Sequence, residues 1–156
     1  MKHSNKRRLF LKSALATGTL GVAVSAGLLT PSAVLASWPE TAFKATKSAD
    51  AINALFGGAA AESDKVIVDV ADVAENGAIV PVKIKTSLDK VENMSILVNE
   101  NAAPLTASFN VQPEVDSEIS IRVKVGKPSD IVGVVKADGK LFTAKKHVKV
   151  TQGGCG

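Results

Sequence analysis

Ser117-Glu118-Ile119-Ser120-Ile121-Arg122-Val123-Lys124-Val125 is the stretch that decides the fold. Ile119, Ile121, Val123 and Val125 occupy alternate positions, with Ser120, Arg122 and Lys124 between them. Successive side chains of a strand point to opposite faces, so this spacing makes one apolar and one polar face. Antiparallel sheet with one face buried and one wet is the structure that uses it. The same period runs outward in both directions. Val66, Val68 and Val70 alternate with Ile67 and Asp69; Val80, Val82 and Ile84 with Pro81, Lys83 and Lys85; Leu105, Ala107 and Phe109 with Thr106, Ser108 and Asn110. Pro81 has no N–H for a ladder, which predicts an edge or a strand start there.

Turn residues separate these runs at short intervals: Glu75-Asn76-Gly77, Asn99-Glu100-Asn101, Gln112-Pro113-Glu114, Lys127-Pro128-Ser129-Asp130 and Ala137-Asp138-Gly139-Lys140. Asp138-Gly139, between Val134-Val135 and Leu141-Phe142, predicts a two-residue hairpin. Strands are expected near 65–71, 78–86, 93–99, 105–110, 117–126, 130–137 and 140–150. Seven short strands with regular turns predict an all-β, immunoglobulin-like antiparallel β-sandwich over 61–150. The chain has one cysteine, so the disulfide of antibody domains is excluded. Before the strands, over 37–60, the period is helical. Trp38-Pro39-Glu40 leads in, Phe43, Ala51, Ile52, Leu55 and Phe56 recur, Ser48 with Asp50 reads as an N-terminal cap, and Gly57-Gly58 ends the helix.

The first 36 residues read as an address. Arg7-Arg8 with Phe10-Leu11-Lys12 precedes an uncharged apolar stretch from Ser13 to Leu35, which closes on Val34-Leu35-Ala36. A basic start, an apolar middle and small residues before a cut describe an export signal, and the paired arginines place it in the twin-arginine class. A transmembrane anchor is the competing reading; Pro31, the glycines and the cleavage site favour removal after Ala36. The expected location is the periplasm. Five of the 19 basic residues and none of the 15 acidic ones precede Ser37, which leaves 14 against 15, a net of −1. A surface without excess positive charge, on a chain with one Trp and no Tyr, excludes nucleic acid and anionic membrane as expected partners.

Conventional catalytic equipment is sparse. His147, the one histidine after the cut, lies in Lys145-Lys146-His147-Val148-Lys149, opposite the face of Val148 and Val150, and reads as a solvent-facing strand residue. Asp69, Asp72 and Glu75 follow a strand into a turn and read as a solvated loop. No metal-ligand spacing or phosphate loop is evident, so no metal and no bound cofactor is expected.

What remains is Gly153-Gly154-Cys155-Gly156. A packing cysteine has buried neighbours and a nucleophilic one has a pocket; Cys155 has glycines, which give backbone freedom and no side chains. It reads as a thiol on a flexible arm, residues 151–156, built for presentation to another molecule. From Val150 to Cys155 the arm spans roughly 17 Å when extended. No sequence neighbour of Cys155 is a base or a cation, so activation of the thiol falls to partner enzymes. A redox enzyme is disfavoured for want of a resolving cysteine. An exported interaction module whose cysteine forms an intermolecular disulfide stays open.

The chain resembles the SoxY family, sulfur-carrier subunits of the bacterial thiosulfate-oxidising (Sox) system. Ala74-Glu75-Asn76-Gly77-Ala78-Ile79-Val80-Pro81-Val82, Ile96-Leu97-Val98-Asn99-Glu100-Asn101, Ser117 to Lys124 and Val148 to Gly156 carry the likeness. Many members end in two glycines after the cysteine, where this chain has only Gly156. The resemblance implies a carrier with no catalysis of its own, with Cys155 as covalent sulfur attachment point and Gly153, Gly154 and Gly156 as the arm. It implies a heterodimer with SoxZ. It also implies three enzymes that act on the carried sulfur: a c-type haem enzyme that conjugates thiosulfate, a dimanganese hydrolase that releases sulfate, and in some systems a molybdenum–haem sulfur dehydrogenase.

Overall fold

Asp138 and Gly139 both take positive φ, 48° and 71°, inside a pair formed by Ala137 and Lys140. Two such residues make the primed turn whose twist matches that of a hairpin, as the Asp-Gly signal predicts. The surrounding structure, a computed structural model, describes residues 39–113 and 117–151. Residues 1–36, read above as an export signal, the lead-in at Ser37 and Trp38, and Gly153 to Gly156 with Cys155 lie outside the described residues.

Two helices, α1 (Glu40–Lys44) and α2 (Ser48–Phe56), precede nine strands among the described residues: β1 (Ala61–Glu62), β2 (Val66–Asp69), β3 (Val73–Ala74), β4 (Val80–Thr86), β5 (Val91–Val98), β6 (Leu105–Asn110), β7 (Glu118–Val123), β8 (Ser129–Ala137) and β9 (Lys140–Val150). The seven longer strands are those read from the sequence. A six-stranded sheet runs β1-β9-β8-β5-β6, with β3 also on β9, and faces a three-stranded sheet ordered β2-β4-β7. The architecture is the expected all-β sandwich. Two short ladders depart from antiparallel pairing: β1 and β3 each run parallel to β9. At two residues apiece they are too short for a period to mark them. Pro81 sits near the start of β4, opposite Arg122 of β7; β2 pairs only with residues 83–86, so the missing N–H falls beyond its reach.

Val66, Val68, Val82 and Ile84 from the small sheet meet Met94, Ile96, Val98, Ile131 and Val135 from the large one. Gly133 lets the sheets close: a Cβ there would stand 2.8 Å from Ile84 Cδ1 and 3.1 Å from Val68 Cγ2. The rule of one wet face fails for β5 and β8, which are buried on both sides. Their second face, with Leu97, Val132 and Val134, is covered by Ala42 of α1 and Ala51 of α2.

The short helix read before the strands is α2, and the helical stretch ahead of it forms a separate turn of helix, α1. Ala42 and Ala51 are nine residues apart, which at about 100° per residue puts them on opposite sides of one continuous helix. Both are fully buried in one cluster, so the chain breaks between them, with Ala45 and Lys47 extended. Ser48 is consequently not the cap. Lys47 occupies that position without a side-chain bond, and the Ser48 hydroxyl donates across to Asn99 Oδ1 at 2.5 Å. Gly57 ends α2 in the left-handed conformation, its N–H donating to the Asn53 carbonyl.

Candidate functional site

The last strand carries the chain toward Cys155, and its anchorage is the geometry that matters. β9 pairs with β8 from Lys140 to Val148, where β8 runs out at Ser129. Beyond that point β3 takes over on the other side, setting Val73 against Lys149 and Ala74 against Val150. The Lys149 N–H donates to Asp72 O at 2.9 Å, and the Thr151 N–H donates to Ala74 O at 3.1 Å. The Thr151 hydroxyl adds a bond to Glu75 O, also at 3.1 Å. Val148 is fully buried and Val150 packs against the core. The chain is therefore held through Thr151, and Cys155 follows four residues later. Sequence reasoning missed this anchor, because backbone carbonyls of a polar loop leave no pattern to read.

Asp72 lies beside the anchor and pairs with Lys146 at 3.0 Å; the same ammonium donates to Val70 O at 2.6 Å. Asp69 is exposed at the end of β2, and Glu75 acts through its carbonyl. Among the described residues no group of three potential ligands converges on a metal position. His147 stands on the outer face of β9 at 57% side-chain exposure, with Nδ1 2.7 Å from Asp130 Oδ1 of its register partner. Two carboxylates elsewhere sit below their ordinary range: Glu118, held by Lys83, and Glu92, held by Lys136 and by the Gly139 N–H. Neither borders Thr151 in the ladders. A cavity of about 360 Å³ lies between α2 and the outer face of the large sheet, lined by Ile52, Ala60, Val132 and Ala144. It opens beside Thr143 and Lys145, roughly 20 Å up the strand from Thr151 at about 3.4 Å per residue. Four residues from Thr151 to Cys155 span at most about 14 Å, short of that opening.

A family model described as "Sulfur oxidation protein SoxY" matches residues 52–155, well over half of the chain. The chain belongs to the SoxY family. Among solved structures it is similar to the sulfur carrier protein SoxY from Chlorobium limicola f thiosulfatophilum, with 42% identity, a TM-score of 0.60, and coverage of 66% of this chain and 94% of that one. A superoxide reductase (neelaredoxin) from Ignicoccus hospitalis shares 9% identity over 55% of this chain and 80% of its own, at a TM-score of 0.50, a likeness of fold alone. No curated protein sequence matches. The SoxY match begins within α2, spans both sheets and the Thr151 anchor, and ends on Cys155.

Proposed function

We propose that this protein is a periplasmic sulfur carrier that holds thiosulfate-derived sulfur covalently on Cys155 and presents it to enzymes of sulfur oxidation. The observation that carries the reading is the family match through Cys155, on a chain anchored as far as Thr151. A fixed root and a short glycine-rich arm fit a cargo site that is passed between enzymes and has no pocket of its own.

The chemistry balances without a catalytic group on this chain. In conjugation the Cys155 thiol loses its proton and its sulfur bonds to the sulfane sulfur of thiosulfate, giving Cys–S–S–SO₃⁻. The two electrons released leave one at a time through the c-type haem of the conjugating enzyme to a further electron acceptor. Hydrolysis by the dimanganese enzyme then breaks the bond between sulfane sulfur and sulfone. Water supplies the oxygen of the departing sulfate, a persulfide stays on Cys155, and no electrons move. A molybdenum–haem dehydrogenase, where present, oxidises that persulfide further. The bond that forms and breaks lies at the tip of the arm, so the sandwich needs only to be rigid and recognisable. Glycines 153, 154 and 156 keep the tip narrow enough for a channel.

The same reading includes export by the twin-arginine pathway and a heterodimer with SoxZ. β6 ends the large sheet and β7 ends the small one, and strand edges of this kind are ordinarily covered. N-terminal sequencing of periplasmic protein is expected to begin at Ser37, and co-expression with SoxZ is expected to give a stable pair by size measurement. The carrier reading itself is tested by Cys155→Ser, which abolishes thiosulfate-dependent turnover in the reconstituted system. Full activity of that variant refutes it.

A further inference from the structure

We infer that Val73 and the Ala78–Pro81 segment form a docking surface for the channel rims of the enzymes that act on Cys155, an inference that rests on the carrier reading. From Thr151 to Cys155 there are four residues, a reach of at most about 14 Å. An enzyme that takes the sulfur into a recessed active site therefore brings the mouth of its channel against the surface around Thr151. Whatever side chains are exposed there become the contact.

Two of the four exposed large hydrophobic residues of the described chain are at that place. Val73 is 49% exposed and Ile79 is 59% exposed. Val73 is the register partner of Lys149, two residues before Thr151. Ile79 lies one turn from the loop that holds Thr151: its N–H faces Asn76 O, and Asn76 follows the Glu75 carbonyl that accepts from the Thr151 hydroxyl. The Asn76 side chain accepts from the Ala78 N–H at 2.8 Å, closing the loop on itself, and Gly77 O accepts from Val125 N at 2.7 Å, tying it to the chain after β7. Ala78 and Pro81 are exposed alongside. Asp72, Glu75 and Lys149 supply charge around these apolar residues. Ala74 and Val80 both face the core, so Val73 faces out from the large sheet and Ile79 from the small one, and the two flank the root of the arm on either side. Apolar contacts on the two sides of the arm root make a small interface, suited to a partner that must leave after each turnover.

The occupant is accordingly an enzyme acting on cysteine-bound sulfur, with apolar residues around its channel entrance. Ile67 serves as the internal control. It is as exposed, at 54%, but it stands opposite Lys85 at the far end of β4 from Ile79. The experiment uses the full mature carrier with SoxZ, thiosulfate and the c-type haem conjugating enzyme, and measures loading rate against carrier concentration. Val73→Asp/Ile79→Asp is expected to raise KM for the carrier about tenfold with kcat within about twofold, as loss of apolar interface contacts does. Ile67→Asp is expected to leave both unchanged. The reaction of Cys155 with a small disulfide reagent is expected to be the same in all three proteins. If the aspartates unfold the sandwich, Val73→Ala/Ile79→Ala replaces them, with an expected rise of several-fold. An unchanged KM in the patch variants, or an equal rise with Ile67→Asp, overturns the docking surface alone. Failure of the parent protein to load at all overturns the carrier reading and the docking surface with it.

Discussion

Gly133→Ala is expected to destabilise the sandwich even though alanine normally strengthens a chain over glycine. The new Cβ would stand 2.8 Å from Ile84 Cδ1 and 3.1 Å from Val68 Cγ2, well inside van der Waals contact. Ile84 is fully buried and Val68 nearly so, so neither can swing aside without displacing other core atoms. Overpacking of this kind costs about 1–3 kcal/mol. The reduced freedom of the unfolded chain returns about 0.4–1 kcal/mol. A net loss of about 1–2 kcal/mol follows, seen as a lower urea midpoint with an unchanged slope. Ile84→Val removes the Cδ1 that makes the closest contact. Alone it is expected to cost about 0.5–1.5 kcal/mol, but in the Gly133→Ala background it is expected to cost little or even restore stability. That coupling, about 1 kcal/mol in a double-mutant cycle, is the signature of the proposed clash. A Gly133→Ala protein as stable as the parent, or strictly additive effects, would refute the reasoning.

Three further outcomes are expected. Glu92 and Glu118 have folded values held below the ordinary 4.5 by their lysine partners. A depressed carboxylate contributes stability that is full above its unfolded value and fades as pH falls through the folded one. Glu92→Gln/Glu118→Gln is therefore expected to lose stability less steeply than the parent below pH 4.5 in acid-titrated urea melts; parallel curves would contradict this. Ser48→Ala removes the bond to Asn99 at about 1 kcal/mol, partly offset by about 0.5 kcal/mol of helix propensity, so calorimetry is expected to register a fall in Tm of a few degrees at most. His147→Ala breaks an exposed pair with Asp130, expected to cost under about 1 kcal/mol and to leave thiosulfate-dependent turnover unchanged in a steady-state assay.

The alternation from Ile119 to Val125 was legible because burial on one face writes a period of two into the sequence, and Asp138-Gly139 was legible because few residues accept its backbone. The two-sided burial of β5 and β8 was not. Continuous apolar runs such as Ile131-Val132 and Val134-Val135 fit a strand buried once or twice, and the difference lies in where Ala42 and Ala51 pack. The helix break was hidden for a related reason, since alanines at 42 and 51 carry no face of their own until a sheet supplies one. β3 and the bonds to Thr151 are made by main chain, so residue types in that loop say nothing about them. The reading of Cys155 rests on residue type, neighbours and family, and the described structure contributes the fixed point from which its reach is counted.

The most direct measurement is intact-mass analysis with peptide mapping of the mature carrier after incubation with thiosulfate and the c-type haem conjugating enzyme. The account predicts one thiosulfate-derived adduct per chain, confined to the peptide that contains Cys155, released by a thiol reductant and missing from Cys155→Ser. An unmodified Cys155 under turnover, or an adduct mapped to any other residue, would contradict it.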